Sequence, residues 1–179
     1  MNLAHNDLTE VPVETLRTLR LLGSLDLSNN RVQYVPNNAF VTLRLNTLKF
    51  SENNITLADG AFNGLEQSLK NLNLKGCQLK IVPRALGNLA GLAFLDLAQN
   101  SIRSLGSGEL SNLASITALN LERNVIQQLE PAVFYGINDT LSSLSLLNNL
   151  LTSYPTEAIT SLQELRVRGI PMQIGRETT

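Results

Sequence analysis

Few residue types in this chain of 179 could do chemistry. There is one cysteine, Cys77, one histidine, His5, a glycine-rich triplet GSG at 106–108, and two Asn-x-Thr triplets beginning at Asn54 and Asn138. A thiolate can act as nucleophile or metal ligand, and an imidazole as base or ligand. A single cysteine excludes an internal disulfide and any CxxC metal or redox site. No Ser-His-Asp set can be argued around His5, which is expected as an exposed polar side chain at a solvent-facing strand position. GSG lacks the Lys-Ser/Thr that follows a phosphate-binding loop, so it reads as turn chemistry. No catalytic residue, metal cluster or cofactor is expected, and the chain is read as non-enzymatic. The Asn-x-Thr triplets are candidate N-glycosylation sites at Asn54 and Asn138. Two of them are no more than chance gives in a chain this rich in asparagine, so they carry no information on compartment.

What positions these residues is a repeat. LGSLDLSNNRV at 22–32 aligns with LNTLKFSENNI at 45–55, LKNLNLKGCQL at 69–79, LAFLDLAQNSI at 92–102, ITALNLERNVI at 116–126 and LSSLSLLNNLL at 141–151. Each fits L-x-x-L-x-L-x-x-N-x-L with conservative swaps. NLAHNDL at 2–8 supplies the back half of an earlier unit. A further unit should begin at Leu165, but LRVRGI puts Arg168 where a core leucine belongs. The expected organisation is therefore a repeat domain over 1–164, with a partial unit at 1–21 and full repeats starting at 22, 45, 69, 92, 116 and 141. A decayed repeat and tail occupy 165–179. Apolar residues at the fourth and sixth motif positions predict a short strand with one buried face. A unit of this size cannot bury that face alone, whereas stacked units share a continuous core. Leucine layers also account for a composition with no Trp, five Phe and three Tyr.

The ninth position holds Asn6, Asn30, Asn53, Asn100, Asn124 and Asn149, and once Cys77. An amide there can accept from and donate to backbone groups that would otherwise be orphaned. Cysteine fills the same small volume with a weak S–H donor. Cys77 is thus read as a weakened rung of a structural ladder; the competing reading is a reactive thiol.

The repeat resembles the leucine-rich-repeat family over nearly the whole chain. The resemblance implies an α/β solenoid, a curved arc with short parallel strands on its concave face and irregular or short helical segments on its convex face. VPNNAFVTL at 35–43, DGAFNGL at 59–65 and EPAVFYGI at 130–137 look like the convex segment of the typical extracellular class, which includes Slit proteins, Toll ectodomains and chaoptin-like surface proteins. VPRALGNLAGL at 82–92 instead resembles intracellular scaffold members. Extracellular members usually carry cysteine-stapled caps, which are missing here, and Leu3, Leu8 and Val11 read as an uncovered end of the core. A fragment is therefore expected.

The function implied is a protein-recognition or adhesion module outside the cell or at its surface, binding a protein ligand or receptor through the concave sheet. The alternatives are an intracellular scaffold and a spacer within a larger receptor. Net charge is −1 with scattered Lys and Arg, which disfavours nucleic acid as a partner. No apolar run approaches the roughly 18 residues a membrane-spanning helix needs. Outward strand positions are taken as the second, third, fifth, seventh and eighth of each motif. Phe94 stands out there, with Asn71, Asn73, Asp96 and Asn120 around it, Leu147 further along, and Lys49, Lys70 and Lys75 as a basic flank.

Overall fold

Each repeat places a leucine at its fourth position, and those leucines set the architecture. In the computed structural model, which describes residues 1–165, they sit at the centres of six three-residue strands: β1 (Ser24–Asp26), β3 (Thr47–Lys49), β5 (Asn71–Asn73), β6 (Phe94–Asp96), β7 (Ala118–Asn120) and β8 (Ser143–Ser145). The strands form one parallel sheet in chain order, with Leu25, Leu48, Leu72, Leu95, Leu119 and Leu144 in register and all buried. Leu27, Phe50, Leu74, Leu97, Leu121 and Leu146 at the sixth position are buried beside them. Each fully buried side chain of this kind is worth about 1.5–3 kcal/mol relative to exposure, and no turn could keep it buried without its neighbours. The result is the expected α/β leucine-rich-repeat solenoid.

The return segments on the convex side are mostly turns. They contain helix α1 (Val13–Leu16), helix α2 (Thr156–Thr160) and a 3-10 turn at Arg84–Asn88. Buried side chains from each turn close the core there, among them Phe40, Phe62, Leu86, Leu110 and Phe134. Phe40 stacks on Phe62 with ring centroids 6.3 Å apart and meets Phe50 edge-on at 6.2 Å. Close approach of successive turns is paid in side-chain volume at Gly64. It adopts φ +90°, and a Cβ built there would lie 2.8 Å from the Val41 carbonyl oxygen.

Three expectations are corrected. His5 is exposed, but not on a strand: it occupies a bend with φ 58°. The eighth motif position as a whole leaves the sheet, since Asn29, Glu52, Gln99, Arg123 and Asn148 share that left-handed backbone, as does Gly76. The strand ends before this position because the chain must reverse toward the convex side. Of the residues read as an uncovered core end, Val11 is buried, while Leu3 and Leu8 are partly buried against the core. A second, two-stranded parallel sheet was not anticipated: β2 (Tyr34–Val35) pairs with β4 (Thr56–Leu57) on the flank between the concave and convex faces. Arg168 and the tail lie outside the described residues.

The glycine geometry gives a paired test. Gly64→Ala combines a left-handed φ with a backbone clash and is expected to destabilise by more than about 1 kcal/mol. Gly87→Ala meets nothing within 4 Å and is expected to be neutral or to stabilise by up to about 1 kcal/mol. Urea denaturation midpoints of the two variants check this; equal shifts would contradict it.

Candidate functional site

The concave sheet offers two columns of side chains. The third motif position carries Ser24, Thr47, Asn71, Phe94, Ala118 and Ser143, and register pairing sets Phe94 directly between Asn71 and Ala118. The fifth carries Asp26, Lys49, Asn73, Asp96, Asn120 and Ser145, with Asp96 between Asn73 and Asn120. The structure thus brings together Asn71, Asn73, Phe94, Asp96 and Asn120. Leu147 lies two strands on, past the end of β8, and is half-buried. Phe94 is 37% exposed. Beside its ring is a shallow hollow of about 240 Å³ floored by Leu48 and Leu72 and rimmed by Thr47, Lys49, Asn71 and Asn73.

The fifth-position side chains do more than face solvent. Oδ1 of Asn2, Asp26, Asn73, Asp96 and Asn120 each accepts the backbone N–H two residues on, at 2.8–3.1 Å. This turn-forming contact, favoured by short Asn and Asp side chains, ends β1, β5, β6 and β7; β3 and β8, with Lys49 and Ser145 at the position, end without it. Its signal was in the sequence, as Asn or Asp recurs at the fifth position of five units. The outward direction of these residues suits a partner contact equally well, so pattern alone does not separate the two roles.

Asp96 was expected as an exposed contact and is buried. The neighbouring strands cover it, and burial raises its carboxyl above the ordinary range against the pull of the Ala98 N–H and Lys75. At Asp26 burial acts in the same direction, but the Ser28 hydrogen bonds and Lys49 outweigh it and hold that carboxyl low. The basic flank is also partly engaged. Lys49 Nζ lies 3.5 Å from Asp26, and Lys70 Nζ donates to the Gly91 carbonyl at 3.0 Å.

Behind the sheet runs the ladder. Asn53 is representative: Oδ1 accepts from the Val32 N–H of the preceding turn, while Nδ2 donates to Leu27 of that turn and to Phe50 of its own. Asn30, Asn100, Asn124 and Asn149 repeat this arrangement. Asn6 is exposed and bonds only within its own turn. At Cys77 the thiol reaches the Phe50 carbonyl at 3.3 Å and the Lys75 carbonyl at 3.7 Å. Among the described residues nothing accepts from the Ile55 N–H, the group an asparagine oxygen would hold. Cys77 is fully buried, and burial pushes its thiol up to about 12. Burial therefore disfavours a nucleophilic thiolate at neutral pH.

The candidate glycosylation sites differ in access. Asn54 is exposed beside the buried Asn53. Asn138 is half-buried, with Nδ2 donating to Asp139 at 2.8 Å and its carbonyl accepting from Gln163 at 3.2 Å. GSG forms a turn, with Gly108 at φ +80° and the Gly106 N–H donated to the Glu109 carboxylate. Among the described residues no group of three potential metal ligands occurs, and no helix is long and apolar enough to cross a membrane.

Comparison with known proteins agrees with this geometry. The family model described as "Leucine rich repeat" matches residues 1–55 and 68–126. Podocan of Mus musculus is 34% identical over 178 residues, covering 95% of this chain and 28% of that protein. Tsukushi of Gallus gallus is 26% identical over 202 residues, covering 94% of this chain and 53% of that protein. Among solved structures, TLR13 in its ssRNA13 complex superposes with a TM-score of 0.85 at 35% identity, covering 92% of this chain and 23% of that one. The chain thus spans about half or less of the length of these relatives. They are mostly secreted or cell-surface proteins of the interaction type.

Two outcomes follow from the ladder. Asn100→Ala is expected to lose about 1–3 kcal/mol through unsatisfied buried groups, and more than Cys77→Ala, while Cys77→Asn is neutral or stabilising. Chemical denaturation decides, and equal losses for the two alanine variants would remove the ladder's role. The thiol adds a pH signature. Between its ordinary pKa of 9.0 and the buried value of about 12, the native state keeps a proton the unfolded state has lost. Stability should therefore fall with rising pH through that window by about 1.4 kcal/mol per unit. The slope difference between wild type and Cys77→Ala isolates it; superimposable profiles would refute it.

Proposed function

This chain belongs to the leucine-rich-repeat family, and on that premise we propose that it is a non-enzymatic recognition module of the cell surface or extracellular space, binding a protein partner through its concave sheet. The observation that carries this reading is Phe94. It is a large apolar side chain more than a third exposed in the middle of an otherwise polar sheet, flanked in register by Asn71 and Ala118.

An aromatic ring beside a shallow apolar-floored hollow, rimmed by amide, hydroxyl and ammonium groups, matches the anatomy of an interface hot spot. Asn71 and Asn73 supply adaptable hydrogen-bonding groups on one side. On the other, Asn120 keeps its Nδ2 free, because only Oδ1 is used to end the strand. Asp96 contributes a fixed, largely covered carboxylate and orients the loop after β6. Leu147 extends the apolar surface toward the last strand. The backbone under Asn71, Phe94 and Asn120 is held on both sides, since β5, β6 and β7 are each paired with two neighbours, so binding there orders little that is not ordered already. Asn54 is the glycan acceptor favoured by exposure, with Asn138 second. A glycan on Asn54 would stand on the flank and leave the concave sheet open.

The test pairs two aromatic truncations on opposite faces. With a partner isolated from a library of cell-surface and secreted proteins, Phe94→Ala should weaken binding by more than about 1 kcal/mol and leave the denaturation midpoint nearly unchanged. Tyr135→Ala, on the convex side and 73% exposed, should do neither. Full affinity in the Phe94 variant would displace the proposed site from the concave sheet.

A further inference from the structure

We propose that the free edge of β4 is a docking site for an extended, acidic segment of a partner protein, which joins the flank sheet as a third strand. The edge is open on one side only. Thr56 and Ala58 donate their N–H groups to the Gln33 and Val35 carbonyls at 2.9 and 3.0 Å. In a parallel ladder alternate residues face opposite neighbours, so the N–H and C=O of Leu57 point the other way.

The turn that should fill that side does not reach it. At four other seams the tenth-position N–H bonds to the eleventh-position carbonyl of the turn before: Arg31 to Leu8, Ser101 to Leu79, Val125 to Ile102 and Leu150 to Ile126, at 2.8–3.0 Å, while at the Val32–Asn54 seam the β2–β4 pairing joins the turns instead. Among the described residues no hydrogen bond joins 54–58 to 78–84. The chain is diverted there by two left-handed residues on either side of Cys77, Gly76 at φ 65° and Gln78 at φ 60°. Gln78 is the one tenth-position residue with that backbone. Pro83, further along, has no N–H to offer a sheet. What remains is a groove of about 650 Å³ between Asn54–Leu57 on one wall and Lys80, Ile81 and Arg84 on the other, open to a partner where Asn54 carries no glycan.

The walls select the occupant. Unpaired backbone groups on a strand edge are satisfied best by another extended backbone. Ile81 is 66% exposed and offers an apolar contact to one side chain of such a strand. Lys80 and Arg84 are exposed, have no carboxylate within ion-pair distance among the described residues, and are opposed in the groove by Asp59 alone. The excess positive charge favours Glu or Asp on the incoming segment. This surface lies on the flank, separate from Phe94 and the concave sheet, so neither site's test depends on the other.

The probe is a panel of seven-residue synthetic peptides alternating Val or Ile with Glu, added to isotope-labelled protein while amide hydrogen exchange is followed by NMR. The expected result is at least a tenfold slowing of exchange at the Leu57 N–H. Peptides with Lys in place of Glu, or with alternate backbone amides N-methylated, should give none. The double substitution Lys80→Glu with Arg84→Glu, its fold checked by circular dichroism, should abolish the slowing, while Phe94→Ala leaves it intact. No slowing at Leu57 with any acidic peptide would overturn the proposal. Equal slowing with the Lys or N-methylated peptides would overturn it as well.

Discussion

A single turn of this chain carries buried backbone groups that it cannot satisfy alone. Strand bonds use some of them, yet the strands are only three residues long, and the loop that follows each one would otherwise bury bare N–H and C=O groups. The ninth-position asparagine resolves this by bonding to its own turn and the preceding one at once. One amide offers an acceptor and two donors, which is why the cysteine that stands in at Cys77 cannot hold the Ile55 N–H. Leucine layers supply the burial, but they are non-directional; the amide ladder fixes the spacing at which they stack.

The same economy governs the sheet's outer surface. Asn or Asp at the fifth position ends the strand by capturing the N–H two residues on, and the eighth position then turns the chain with a left-handed backbone. Asn29 and Asn148 adopt that conformation readily, whereas Glu52, Gln99, Arg123 and His5 hold it at a cost of roughly 1–2 kcal/mol each. The concave residues are therefore under two demands, shaping the loop and facing a partner. Phe94 answers only the second. Nothing in the fold requires an aromatic at the third position, where its neighbours are Asn71 and Ala118.

The fold was legible because its causes are local and repeated. Leu25, Leu48, Leu72, Leu95, Leu119 and Leu144 announce the strands six times over, and Asn30, Asn53, Asn100, Asn124 and Asn149 announce the rungs in five of the six full repeats. What the sequence hid came from geometry between turns. The burial of Asp96 depends on strands on both sides of it. The turn of His5 depends on a left-handed backbone that histidine does not advertise. The flank sheet depends on whether one return segment lies close enough to the next, and Tyr34–Val35 and Thr56–Leu57 carry no pattern that distinguishes them from Lys80–Ile81. In the candidate site, register alone brought Phe94, Asn71 and Ala118 together. Charge engagement, such as Lys70 on the Gly91 carbonyl, could not be read without coordinates.

In an array where each turn touches only its neighbours, load passes through every junction in series. The junction between Ile55 and Cys77 lacks the amide bridge, the tenth-position bond and the flank pairing that brace its neighbours on one side or the other. A pull applied along the arc therefore spreads unevenly: the stiffer segments on either side move as blocks, and extension concentrates where the thiol replaces the amide. Three missing braces at a single junction give the spring a compliant coil.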